Sequence, residues 1–136
     1  MKLSSNFSLE ELCKSSVAEV NGIVNKPSND EIEKLRRLCV GILQPIRDKW
    51  GEKIFVNSGY RNPVLNRLVG GSTSSQHLKG EAVDITCGNN KKLFNLISAM
   101  ITDGEIVVGQ LIDEKQYSWI HISLPNNKHK NNILHL

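Results

Sequence analysis

Ser74-Ser75-Gln76-His77-Leu78-Lys79-Gly80-Glu81-Ala82-Val83-Asp84-Ile85 is the stretch from which the rest of the chain is read. It begins polar, carries a histidine, turns at a glycine and ends as an apolar strand that holds an aspartate. Gly80 permits a turn that a residue with a side chain resists. Beyond it, Ala82, Asp84 and Thr86 alternate with Val83 and Ile85, the pattern of a half-buried strand, so Asp84 points away from the apolar side. A second strand of the same kind lies at Ser118-Trp119-Ile120-His121-Ile122-Ser123-Leu124, with Trp119, His121 and Ser123 on one face. If the apolar faces of both strands share a core, Asp84 and His121 emerge on one surface and His77 reaches it from the loop before. Two imidazoles and one carboxylate suit a four-coordinate zinc ion with one position open for water. Spacing alone also admits blander roles: a surface or hydrogen-bonded histidine, and an aspartate that caps or turns a strand.

Composition sets the frame. A chain of 136 residues, 39% hydrophobic and 23% charged, fits a single domain with enough residues for a real core. The net charge of +3 is too mild to argue for nucleic acid. No apolar run is long enough for a signal peptide or a membrane span. The expectation is a monomer without a membrane partner, cytoplasmic as synthesised unless released by another route. Cys13, Cys39 and Cys87 are odd in number and scattered, which argues against a disulfide framework. Cys39 reads as core, and Cys87 as a small strand-end residue rather than a soft metal ligand.

Taken in order, Ser8 with Glu11 makes a capping box for a short helix, and Phe7 with Leu12 a hydrophobic staple. A second box, Ser28 with Glu31, starts the main helix. Ile32, Leu35, Leu38, Cys39, Ile42, Leu43 and Ile46 give that helix one apolar stripe to about Trp50. Pro45 should kink or break its last turn, and Gly51 ends it. A strand follows at 53–58, then Gly59-Tyr60-Arg61, a helical turn after Pro63, and a Gly70-Gly71 bridge read as flexible. A helix at 90–101, a strand at 106–112 and a hairpin connection at 113–118 lead into the His121 strand. Residues 125–136 read as a polar tail, in which His129 and His135 receive no role.

The combination Ser75-x-His77-x-x-Gly80-x-Ala82-x-Asp84, with Ser58-Gly59-Tyr60-Arg61 upstream and Trp119-Ile120-His121 downstream, closely resembles the zinc D-Ala-D-Ala carboxypeptidase family. That family includes phage L-alanyl-D-glutamate endopeptidases and D,D-dipeptidases. The chain looks most like its short, single-domain members, over about 7–124. The resemblance implies an α+β fold, a small antiparallel sheet with helices packed on one side, shared with the hedgehog signalling domain. It also implies one zinc ion on His77, Asp84 and His121, and a peptide of peptidoglycan as substrate.

The resemblance has one departure. In several branches of the family the general base lies three positions before the last histidine ligand, where this chain has Ser118. A serine hydroxyl cannot be a useful base near neutrality. Short members carry a Gln-Leu-Ile-x-Glu run before Trp-x-His, which matches Gln110-Leu111-Ile112-Asp113-Glu114. Glu114 is therefore assigned as general base and acid, with Asp113 the other acidic candidate. Arg61 is the candidate for holding a substrate carbonyl or carboxylate, or else for a structural ion pair. Ser75 either bonds substrate backbone or orients the His77 loop. Tyr60 and Trp119 either wall the groove or pack beside a strand. Two functions follow: a zinc peptidase of peptidoglycan stem peptides, as in an endolysin that degrades cell walls, or a non-catalytic zinc-scaffold module that binds wall peptides.

Overall fold

A computed structural model describes all 136 residues. The N-terminal segment pairs β1 (Lys2–Ser4) with β2 (Phe7–Ser8) and runs into α1 (Leu9–Cys13). Ser8 and Glu11 form both bonds of the capping box, and Phe7 and Leu12 are both buried. After α2 (Ser16–Val20), Ser28 and Glu31 cap α3 (Asn29–Leu38) in the same way.

The main helix runs without a gap from Asn29 to Trp50, as expected, and its irregularity falls just before Pro45 rather than in the last turn. A wide π turn, Cys39–Leu43, separates α3 from α4 (Gln44–Trp50), and Pro45 sits in the first turn of α4. Proline has no N–H to give and its ring crowds the carbonyl of residue 41, so a widened turn just before it relieves both problems. The apolar stripe survives the change: Leu35, Leu38, Cys39, Ile42, Leu43 and Ile46 are all buried.

The main sheet has five strands in the order β3–β4–β6–β5–β7. They are β3 (Phe55–Ser58), β4 (Ala82–Thr86), β5 (Gln110–Glu114), β6 (Trp119–Ser123) and β7 (Asn132–His135). The helices α5 (Pro63–Leu68) and α6 (Asn90–Thr102) lie between them in the chain. Two expectations are corrected. The strand expected at 106–112 begins only at Gln110 and runs on through Glu114, so Asp113 and Glu114 are strand residues and not hairpin ones. The turn is tighter, with Lys115, Gln116 and Tyr117 all at positive φ (48°, 56° and 62°). The second correction concerns the polar tail. Its residues 132–135 form β7, which pairs with β5 in parallel, so the sheet is antiparallel except for this last pair.

One face of the sheet and the helices share the core: Val83, Ile85, Leu111, Ile120 and Ile122 pack with residues of α3, α4 and α6. Period-two alternation then fixes the opposite face. Asp84 lies opposite His121 and Glu114 opposite Trp119, and a register shift after Val56 brings Ser58 opposite Asp84. The α+β architecture thus reserves one side of its sheet for polar chemistry.

Candidate metal centre

His77 stands on a short 3-10 turn, Gln76–Lys79, that delivers it to the sheet face. Ser75 caps this turn, its Oγ accepting the His77 N–H at 3.2 Å. Gly80 closes it at φ +72°, and a Cβ there would lie 2.7 Å from the Glu31 carbonyl oxygen of α3. Both the left-handed backbone and the tight approach call for glycine. Asp84 and His121 come from paired positions on β4 and β6.

The three side chains converge. His121 Nδ1 lies 2.9 Å from Asp84 Oδ1, and His77 Nε2 lies 3.3 Å from Asp84 Oδ2. One ligand atom from each of His77, Asp84 and His121 falls within 4.8 Å of the others. The far nitrogen of His77, Nδ1, is 2.7 Å from the Gly59 carbonyl oxygen. A carbonyl can only accept, so Nδ1 carries the proton and Nε2 offers its lone pair to the centre, the usual way a metal-binding imidazole is oriented. Burial alone would push the Asp84 carboxyl up. Hydrogen bonds and charge from His121 and His77 outweigh this and hold it well below the usual carboxylate range. A carboxylate kept ionised beside two imidazoles is a donor set that fits a divalent cation.

Gly59 is the contact the sequence reading passed over. A Cβ at this position would lie 2.2 Å from the Leu12 carbonyl oxygen, where the Tyr60 N–H also donates at 2.7 Å. Gly59→Ala is expected to destabilise the protein by about 1–3 kcal/mol through forced backbone displacement, read as a lower denaturation midpoint. Because the Gly59 carbonyl also holds His77, metal affinity should fall in the same variant.

Around the cluster the expected residues part company. Arg61 is present, its NH2 3.6 Å from Asp84 Oδ2, while its Nε donates to Ser58 Oγ (2.9 Å) and its NH1 to Asn66 Oδ1 (3.1 Å). Burial pulls its guanidinium below its ordinary value, and the charges of Asp84 and Glu114 push back. The Gly70-Gly71 bridge is not loose at this point, since a Cβ on Gly71 would meet Asn66 Oδ1 at 2.1 Å. Glu114 shares the sheet face of His121, two residues from Ile112, which pairs with His121. That offset is about 7 Å along a strand. Asp113 lies on the opposite face, buried and bonded to His135 of β7. The Ser118 hydroxyl is spent on the Lys115 carbonyl at 2.6 Å.

Neither Tyr60 nor Trp119 lines the open cleft beside the cluster. Tyr60 is a core residue, and burial, helped by Glu31, pushes its hydroxyl up to about 12. The Trp119 indole N–H donates to Glu114 Oε2 at 2.6 Å, and Lys115 Nζ sits 5.4 Å from the indole ring. Trp119 thus holds one oxygen of the Glu114 carboxylate. Cys87 packs against the core and is not one of the clustered donors.

An open cleft of about 610 Å³ abuts the centre, with His121 on its wall and no hydrophobic lining residue. Ser75 and Gln110 line it, as do Asn126, Lys128 and His129 from the stretch expected to be a tail. A polar cleft beside a His–Asp–His cluster defines the class as a candidate metal-dependent hydrolase. Residues 5–123 match the family described as Peptidase M15, and the chain belongs to that family. No curated protein matches the chain. Membership makes it a peptidase-family protein whose His77, Asp84 and His121 can hold the metal on which such peptidases generally depend.

Proposed function

We propose that the protein is a zinc-dependent peptidase that hydrolyses peptide bonds in the stem peptides of peptidoglycan, as a D,D-carboxypeptidase or an L-alanyl-D-glutamate endopeptidase. The observation that carries the reading is the convergence of His77, Asp84 and His121 on one face with Glu114 on that same face. Zinc is favoured by the donor set, two imidazole nitrogens and one carboxylate oxygen. Wall peptides are favoured by the sequence resemblance and by a cleft with only polar lining, suited to hydrophilic peptides that carry carboxylates.

A bound zinc ion would lower the pKa of a coordinated water towards ~7 and polarise a peptide carbonyl. The protein's own groups do the rest. Glu114, with Oε2 fixed by Trp119 and Oε1 uncommitted, takes a proton from the attacking water and returns it to the leaving amine. Arg61, braced by Ser58 and Asn66, directs its remaining N–H groups at the substrate oxygen on which charge develops. Asp84, also within reach of Arg61, remains ionised throughout.

The test is hydrolysis of purified stem peptides followed by mass spectrometry. Activity is expected to vanish with a chelator and to return with zinc, and the product masses identify the bond. A second reading, a wall-peptide binding module, is kept by Ser118, which occupies the position of the base in several branches of the family. Peptides bound but left intact by the zinc-loaded protein would establish it instead.

A further inference from the structure

The family match ends at Ser123, yet residues beyond it build part of the cleft. Their turn is held firmly. The Asn126 side-chain oxygen accepts the N–H groups of Lys128 and His129, each at 2.8 Å. Asn131, at φ 53°, donates its N–H to the Val108 carbonyl at 2.6 Å and accepts the Val108 N–H on its side chain at 3.0 Å. Next in the chain, Asn132 begins β7 and donates to the Gly109 carbonyl at 3.0 Å. The wall is thus anchored before any ligand arrives, which lowers the ordering cost of binding.

Its charge is one-sided. The cleft's single acid, Glu81, is already paired with Lys34 at 3.2 Å. Its two lysines, Lys79 on the His77 turn and Lys128 on the far turn, make no ion pair within the chain. Two unpaired ammonium groups from separate segments facing one polar cleft favour an anion there.

We propose that Lys128, seconded by Lys79, receives a substrate carboxylate set apart from the bond that is cut, so that the 126–129 turn selects anionic peptides. The proposal rests on reading the centre as a peptidase, because the carboxylate is the anion that peptides carry. It has two sources, the C-terminal carboxylate and an interior one. A contact remote from the reacting atoms binds ground and transition states alike, so its loss raises KM and spares kcat.

The test uses the pentapeptide L-Ala-γ-D-Glu-L-Lys-D-Ala-D-Ala in four forms: both carboxylates free, either one amidated, and both amidated. Each is titrated calorimetrically against the 136-residue Glu114→Gln protein, chosen to hold the peptide without cutting it. The doubly free form is expected to bind about tenfold tighter than at least one single amide, the scale of a charge-assisted hydrogen bond. Which amide loses affinity tells the C-terminal source from the interior one. Lys128→Ala, or the Lys79→Ala/Lys128→Ala pair, should erase the preference; both lysines are exposed, so the fold should tolerate the change. Equal binding of all four forms, binding of none, or a preference that survives both variants overturns the proposal. Hydrolysis by the parent protein is scored separately. Cleavage without acid preference sinks only the carboxylate site, whereas acid preference without cleavage sinks only the peptidase reading.

Discussion

Alanine in place of His121 is expected to leave a folded protein that neither holds zinc nor cleaves peptide. His121 is one of only two imidazoles in the cluster, and its side chain lies on the polar face of the sheet, away from the core shared with the helices. Removing it takes out one of the three clustered donors and also the hydrogen bond that steadies Asp84. Losing a group that merely orients a ligand costs about 10–100-fold in metal affinity, so losing the ligand itself should cost more than that. Zinc content after dialysis and the rate of stem-peptide hydrolysis should fall together, while the thermal midpoint of the metal-free protein changes little. A His121→Ala protein that retains zinc at parental affinity would show that the cluster is not the binding site.

Glu114→Gln should separate what His121→Ala removes jointly. The amide oxygen can still accept from the Trp119 indole N–H, so position and packing persist while proton transfer is lost. Hydrolysis is expected to drop by about 10²–10⁴-fold, the usual contribution of a placed general base, with zinc affinity unchanged. Asp113→Asn makes the comparison decisive. Asp113 lies on the core side of β5 against His135, so its replacement should affect stability and spare turnover. If Asp113→Asn abolishes activity and Glu114→Gln does not, the assignment of the base is wrong. If the parent itself is inactive, the binding module becomes the better account.

The sequence carried the parts of this fold that local rules determine. Both capping boxes are legible because a serine and a glutamate three residues apart satisfy each other's backbone groups without help from elsewhere. The shared surface of Asp84 and His121 is legible because strand alternation admits only one arrangement once Val83, Ile85, Ile120 and Ile122 go inside. What stayed hidden depends on register or on distant partners. The Trp119–Glu114 bond follows from a hairpin pairing set by three left-handed residues with no glycine among them. Tyr60 beside a site motif looks like a groove residue until the long-range contact of its backbone with Leu12 draws it into the core. The strand β7 gives no alternating signal, since its parallel pairing with β5 is prepared by Asn131 and Asn132 and not by an apolar face.

The polarity that disguised β7 also protects the molecule. The outermost strands of an open sheet present unpaired backbone groups on which another chain can add itself, and proteins discourage this with charge and irregularity at the margin. Here one margin is β7, preceded by Asn126, Asn127, Lys128 and Lys130. At the other, the β3 residue Phe55 is exposed, but Lys53 Nζ hangs 5.3 Å from its ring. Lysines thus stand next to both open edges in the chain, the kind of charge that discourages edge-to-edge pairing.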